Sequence, residues 1–329
     1  MTPAAERWRP DILGPRFEQR TLELEPDAEG EVVATLVRYR PPFAARFSDS
    51  PVRGADVLYV HGWSDYFFQT ELARFWGDRG ARFFALDLRK YGRSLRPHQT
   101  PGYITDLAAY DEEIGAALAV IAPADGPRRP LILMGHSTGG LTLSLWASRH
   151  PDAARAVVLN SPWLEFQAGQ LGREALAPLT QWQARHRPRD PYPVVDLGFY
   201  TRSVSSAFEG HWHYDLAWRP EHGFPVYPGW LNAVLHGHAQ VSAGLGIEAP
   251  VLTMLSSRSI LRPRWEPAMA SADVALDVDV VAQRSLALGQ TVTVMRVTDA
   301  LHDITLSAPE VRLGAYRRLG AWIDGIFAD

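Results

Sequence analysis

Short apolar runs alternate with helix-length amphipathic stretches through the first half of the chain. Residues 57–60 (VLYV) run into His61-Gly62, and 83–88 (FFALDL), 131–134 (LILM) and 156–159 (AVVL) have the same character. A brief apolar run bounded by turn residues predicts a buried strand. Upstream, 31–39 (EVVATLVRY) predicts an early strand, paired with 16–25. Between the runs, 70–79, 104–121 and 140–149 predict helices. The alternation predicts an α/β fold with a mostly parallel central sheet and helices on both faces.

The pattern stops at Ser161-Pro162 and resumes near residue 250. There 251–255 (VLTML) predicts a strand, 278–288 a helix, 291–297 (TVTVMRV) a strand and 308–327 a closing amphipathic helix. The two alternating segments each supply only part of a sheet. One core domain formed by 1–162 and 242–329, interrupted by an inserted cap at 163–241, explains this better than two tandem domains.

Composition narrows the function classes. Apolar residues make up 46% and charged residues 21% of the 329 positions, enough for a substantial core. The net charge of −4 gives no basic footprint for nucleic acid. No cysteine is present, which removes disulfides, thiolate nucleophiles and Cys-ligated metals. The single lysine, Lys90, reads as coding bias or surface preference. The N-terminus has no apolar run of signal-peptide length and no stretch is long enough for a transmembrane helix, so a cytoplasmic protein is expected.

The sharpest chemical signal is Gly135-His136-Ser137-Thr138-Gly139, followed by Gly140. It matches the G-x-S-x-G turn in which a serine stands clear of the backbone between a strand and a helix. Such a turn is tight and strained, and side chains two residues before or after the serine would collide. Gly135 and Gly139 meet that demand. LILM precedes the turn and LTLSLWA follows it at helical spacing, so Ser137 is the candidate nucleophile.

Two further turns fit this frame. VLYV leads into His61-Gly62-Trp63, where a backbone N–H after an early strand joins the one after the nucleophile in an oxyanion hole. The expected donors are Trp63 and Thr138. Asp87-Leu88-Arg89-Lys90-Tyr91-Gly92-Arg93-Ser94 follows the next strand, and Asp87 and Arg89 are expected to organise that loop by hydrogen bonds.

HGWSDY, DLRKYGRS and GHSTGG, in this order and spacing, resemble the α/β-hydrolase superfamily, and within it the branch of monoacylglycerol lipases, lysophospholipases and serine aminopeptidase-like hydrolases. The resemblance covers roughly 30–162 and 248–327. It implies a Ser…Asp…His triad in that chain order. The histidine is expected after the last strand, where TVTVMRV leads to His302. The acid is expected after the penultimate strand in a pattern like G-x-x-D-x-x-x-D. Here about a dozen extra residues intervene, and Ala272-Asp273-Val274-Ala275-Leu276-Asp277 matches the later part of the pattern, with Asp273 as the acid. Asp277 and Asp279 are rivals, better suited to capping the next helix. Asp303 is a further rival by its place beside His302.

The insertion holds Trp163, Phe166, Trp182, Phe199, Tyr200, Phe208, Trp212, Tyr214, Trp218, Phe224, Tyr227 and Trp230. A segment between these strands lies over the active site in the resembled fold, where aromatics line an apolar pocket. More than half of them are expected to form a small core within the insertion. His211-Trp212-His213 lacks a third ligand at metal spacing, so no metal and no cofactor is expected. The expected partner is a small-molecule ester with an apolar acyl chain: a monoacylglycerol, a lysophospholipid or a simple carboxylester. Rival readings are an aminopeptidase, a C–C bond hydrolase or a perhydrolase using the same triad, and a non-catalytic binding protein on the same scaffold. An aminopeptidase needs carboxylates for a substrate ammonium, with Glu165, Glu174, Asp196, Glu209 and Asp215 available. Epoxide hydrolases and haloalkane dehalogenases are disfavoured because their nucleophile is an aspartate where this chain has Ser137.

Overall fold

Apolar side chains alternate between two faces along each central strand, and each face buries a separate cluster. Leu58, Val60, Leu86 and Leu133 enter one cluster. Val57, Tyr59, Phe83, Ala85, Ile132 and Met134 enter the other. This period of two is what a sheet covered on both sides requires. The computed structural model describes residues 7–122, 128–166, 169–193 and 196–328.

In chain order the elements are β1 (Arg9–Pro10), β2 (Phe17–Asp27), β3 (Gly30–Tyr39), β4 (Asp56–Val60), α1 (Thr70–Asp78), β5 (Arg82–Asp87), α2 (Asp111–Ile121), β6 (Leu131–His136), α3 (Thr138–Arg149) and β7 (Ala156–Asn160). Then come α4 (Gly169–His186), α5 (Phe199–Val204), α6 (Pro228–Ala243), β8 (Val251–Ser256), α7 (Val278–Ser285), β9 (Val292–Val297) and α8 (Pro309–Phe327). The sheet order is β1-β2-β3-β5-β4-β6-β7-β8-β9. β1 to β3 pair antiparallel with one another, as does β3 with β5. From β5 to β9 every pairing is parallel. Residues of α2, α3 and α6 bury into the first cluster, and residues of α1 and α8 into the second. Among the described residues no helix is long and apolar enough to cross a membrane.

Two sequence expectations shift. The helix read over 104–121 begins only at Asp111, after a 3₁₀ turn at Leu107–Tyr110. The Asp106 carboxylate accepts the N–H of Ala108 at 2.9 Å and fixes that turn. Lys90 is no surface residue. It is 1% exposed, and its ammonium lies 2.5 Å from Asp27 and 2.6 Å from Glu29.

The segment between β7 and β8 contributes α4, α5 and α6. Its aromatics do not mainly pack on one another. Tyr66 meets Trp218, Phe68 meets Trp212 and Tyr214, and Trp63 meets Phe224 and Trp230. Tyr103 meets Tyr227, and His302 meets Tyr200. Around α5, a helix of six residues, the segment is mostly loop. It buries its rings against the loops at the C-terminal ends of β4, β5 and β9.

Candidate active site

The site starts at the turn between β6 and α3. Ser137 caps α3 with φ 51° and ψ −118°, a conformation that L-residues adopt only under constraint. A Cβ on Gly135 would lie 2.6 Å from the Gly139 oxygen, and one on Gly139 would lie 2.2 Å from the His61 oxygen. The glycines let three backbone segments touch around the serine. A Cβ on Gly62 would lie 3.0 Å from Ser137 Cβ, so the loop after β4 runs directly beside the serine. Among the described residues, neither the Trp63 N–H nor the Thr138 N–H donates a hydrogen bond.

His302 follows β9 in a bend where Asp299 has φ 57°. Its Nε2 lies 3.1 Å from Ser137 Oγ, and its Nδ1 lies 2.9 Å from Asp273 Oδ2. The other oxygen of Asp273 accepts the N–H groups of Ala275 and Leu276, both at 2.8 Å. Asp273 reaches this position because the excursion after β8 closes on itself. The Asp273 N–H donates to the Arg258 oxygen, and the Ile260 N–H donates to the Asp273 oxygen. Leu261, Arg262 and Arg264 stand out in solvent from that excursion. Ser137 is 9% exposed, His302 3% and Asp273 0%. The three side chains are thus largely withdrawn from bulk water.

The rival carboxylates have other work. Asp277 caps α7 through the N–H groups of Asp279 and Val280. Asp279 is 86% exposed and pairs with Arg296. Asp303 is buried and accepts from Asn160 Nδ2 at 2.7 Å, Gln69 Nε2 at 3.1 Å, and both the N–H and hydroxyl of Thr305. Burial pushes the Asp303 carboxyl up, but His136 and these donors outweigh it and hold the acid below its usual range.

Several contacts at the site have no sequence signal. His136 is buried, with Nδ1 3.0 Å from the Asn160 oxygen and Nε2 3.3 Å from the Tyr200 hydroxyl. Burial, with His302 nearby, pushes it down to about 4 against the attraction of Asp303, so it is neutral near pH 7. Trp63 lies against Trp230 with ring centres 3.7 Å apart, and Trp230 lies 6.0 Å from Trp163. The Trp163 N–H donates to the Ser137 oxygen at 3.0 Å. Two half-buried indoles, Trp63 and Trp163, thus sit on loops that touch the serine backbone or its Cβ neighbour Gly62, with the buried Trp230 packed between them. Asp87 and Arg89 organise their loop as expected. Asp87 accepts from the Phe67 and Arg93 N–H groups, and Arg89 pairs with Glu112 and Glu113.

The candidate amine-binding carboxylates all have partners. Glu165 is buried between Arg173 and Arg284, and Glu209 pairs with Arg202. Glu174 bonds Gln170, while Asp196 and Asp215 accept the N–H groups of Gly198 and Ala217.

A family described as serine aminopeptidase, S33, matches residues 52–206, which include the Ser137 turn. A curated monoacylglycerol lipase from Mycolicibacterium smegmatis is 34% identical over 124 residues, spanning 37% of this chain and 42% of the relative's own length. Among solved structures, a soluble variant of monoglyceride lipase from Saccharomyces cerevisiae superposes with a TM-score of 0.63 at 15% identity, covering 94% of this chain and 96% of that one. A monoacylglycerol lipase from Paleococcus ferrophilus gives 0.59 at 18% identity, covering 82% and 94%. These last two likenesses speak to fold alone. A fold shared over nearly the whole length gives this chain the α/β-hydrolase fold, and its sequence kinship with hydrolases of that superfamily spans the strand–serine–helix turn.

Proposed function

We propose that the chain is a serine hydrolase that cleaves carboxylic esters through an acyl-enzyme. The observation that carries this reading is the continuous contact from Ser137 Oγ through His302 to Asp273. His302 takes the serine proton as Oγ attacks the ester carbonyl. The carbonyl oxygen becomes an oxyanion, and the Trp63 and Thr138 N–H groups donate to it. Collapse expels the alcohol, which takes the proton from His302. Water then attacks the acyl-enzyme by the same route and releases the acid. Asp273 fixes the His302 tautomer and stabilises the imidazolium.

The substrate we favour has an apolar acyl chain, as in a monoacylglycerol, a lysophospholipid or a simple carboxylester. Trp63 and Trp163 support that preference, because half-buried indoles on the loops next to the nucleophile can shelter an alkyl chain. The monoacylglycerol lipase named above supports the same class. Residues 163–241 act as a cap over a core of 1–162 and 242–329. Aminopeptidase chemistry is less favoured, because each candidate carboxylate is already engaged.

A fluorophosphonate probe and p-nitrophenyl esters of increasing chain length, with aminoacyl anilides alongside, test the reading. Labelling at Ser137 and ester turnover that rises with acyl length are expected. Ser137→Ala should reduce turnover by about 10³-fold or more while the fold persists. Near-normal turnover in folded Ser137→Ala protein, or an unlabelled wild type, overturns it.

A further inference from the structure

The loop beside the serine continues from Trp63 through Ser64 to Asp65. Asp65 is 1% exposed, and its Oδ1 lies 3.3 Å from Nε of Arg219, which is equally buried. Arg219 comes from the insertion, between α5 and α6. Its guanidinium lies over the rings of Tyr200 at 4.6 Å, Tyr214 at 4.7 Å and Phe68 at 5.7 Å. Tyr200 in turn sets its ring edge-on to His302 at 5.1 Å and its hydroxyl 3.3 Å from His136 Nε2. One side chain of the insertion therefore reaches two halves of the site: the loop that carries Trp63, and the ring that backs His302.

Electrostatics gives this contact a consequence. A buried carboxylate is costly without a counter-charge. In a water-excluded site its attraction to a cation is poorly screened and ties the two segments together. Arg219 supplies that cation, and its planar guanidinium can stack on rings while it pairs with the acid. We propose that Arg219 is a positioning residue, which through Asp65 holds the Trp63 N–H and through Tyr200 holds the His302 ring. Ester turnover then depends on the insertion being seated on the β4 loop. This inference rests on the esterase reading above.

The groups facing Asp65 also make the role separable from simple packing. They are Arg219 from the insertion, Asp303 from the loop after β9, Asp87 from the end of β5, and the backbone of Tyr66 beside it. Tyr59 of β4 and Tyr200 of α5 feel its charge from their own sides. Burial pushes Asp65 up to about 7, with Arg219 acting against it. The ionised acid is the form that pairs with Arg219. Protonating it as the pH falls through 7 loosens the pair.

The test compares wild type, Asp65→Asn, Arg219→Gln, Arg219→Lys and the Asp65→Asn/Arg219→Gln double variant. The readouts are kcat and KM on p-nitrophenyl butyrate, the rate of fluorophosphonate labelling, and thermal unfolding. We expect Asp65→Asn and Arg219→Gln each to lower kcat by about 10- to 100-fold, as small misplacements at a reacting centre do, with KM little changed. Labelling should slow in parallel. The double variant should lose no more than the worse single one, and Arg219→Lys should recover part of the loss. As the pH falls through about 7, wild type should lose more kcat/KM than Asp65→Asn does. Wild-type kcat and labelling in folded single variants overturns the inference, as do losses that multiply in the double variant. If Arg219→Gln does not fold, the isosteric Asp65→Asn and the charge-keeping Arg219→Lys decide it by the same readouts. An unlabelled wild type overturns the esterase reading itself, whereas a labelled wild type with unaffected variants overturns only this inference.

Discussion

Asp273 Oδ2 lies 2.9 Å from His302 Nδ1, although Asp303 is the next residue in the chain. The two acids divide the work by what surrounds them. Asp273 spends one oxygen on two backbone N–H groups and keeps the other for the histidine. Asp303 gives both oxygens to Asn160, Gln69 and Thr305 beneath the site. Asp273→Asn should keep the fold, since an amide oxygen can still accept from Ala275 and Leu276. It should lower kcat by about 10⁴-fold, because the amide favours the wrong tautomer of His302. Asp303→Asn should lose stability instead, by about 2 kcal/mol, as its –NH₂ group meets the Asn160 or Gln69 donor. Ester turnover and urea unfolding of the two variants check this, and a larger kcat loss in Asp303→Asn reverses the assignment.

Gly139 offers a test of the turn that needs no substrate. A methyl group there would lie 2.2 Å from the His61 oxygen and 2.5 Å from the Val60 oxygen, both backbone atoms. Neither can rotate away, so β4 must part from α3. Gly139→Ala should therefore lose about 2 kcal/mol or more of stability and also displace the Trp63 loop from Ser137. Gly325→Ala, where nothing lies within 4 Å of the added carbon, serves as the matched control. Equal unfolding midpoints in urea for the two variants would show that the turn has room for a methyl group.

What was legible in the sequence follows how local each feature is. The strands from β4 to β9 showed because Val57, Tyr59, Ile132 and Met134 sit on one face while Leu58, Val60 and Leu133 sit on the other. The serine turn showed because the collisions that demand Gly135 and Gly139 occur within five residues. Asp273 is legible only through the resemblance, since its separation from β8 departs from the family pattern and the pairing of Asp273 with the Arg258–Ile260 stretch is what brings it back. The insertion resisted because its rings bury against loops far away in the chain. Trp212, Tyr214, Trp218 and Phe224 therefore show no helix or strand period. Asp65 with Arg219, and Tyr200 with His136, are partners across that same boundary, and no local pattern announces such a pair.

His238 supplies a prediction about acid stability. It lies on the buried face of α6, with Nε2 3.0 Å from the Trp163 oxygen. Burial pushes its ring down to about 3, with Arg173 and Arg284 adding to the effect and the Trp163 carbonyl opposing it. The unfolded chain takes up a proton on this residue below about pH 6.5, its ordinary value, and the folded chain refuses one until far lower pH. The folded state thus has its full stability above pH 6.5 and loses it as the pH falls. At pH 5 the difference comes to about 2 kcal/mol. Replacing His238 with Gln keeps a donor for the Trp163 carbonyl and removes the titration. Urea unfolding of both proteins at pH 7.5 and pH 5.0 isolates the effect, because other buried groups such as His136 contribute equally to each and cancel. Between the two pH values wild type should lose about 2 kcal/mol more than His238→Gln. Parallel losses would mean that the folded protein accepts a proton on His238 about as readily as the unfolded chain does.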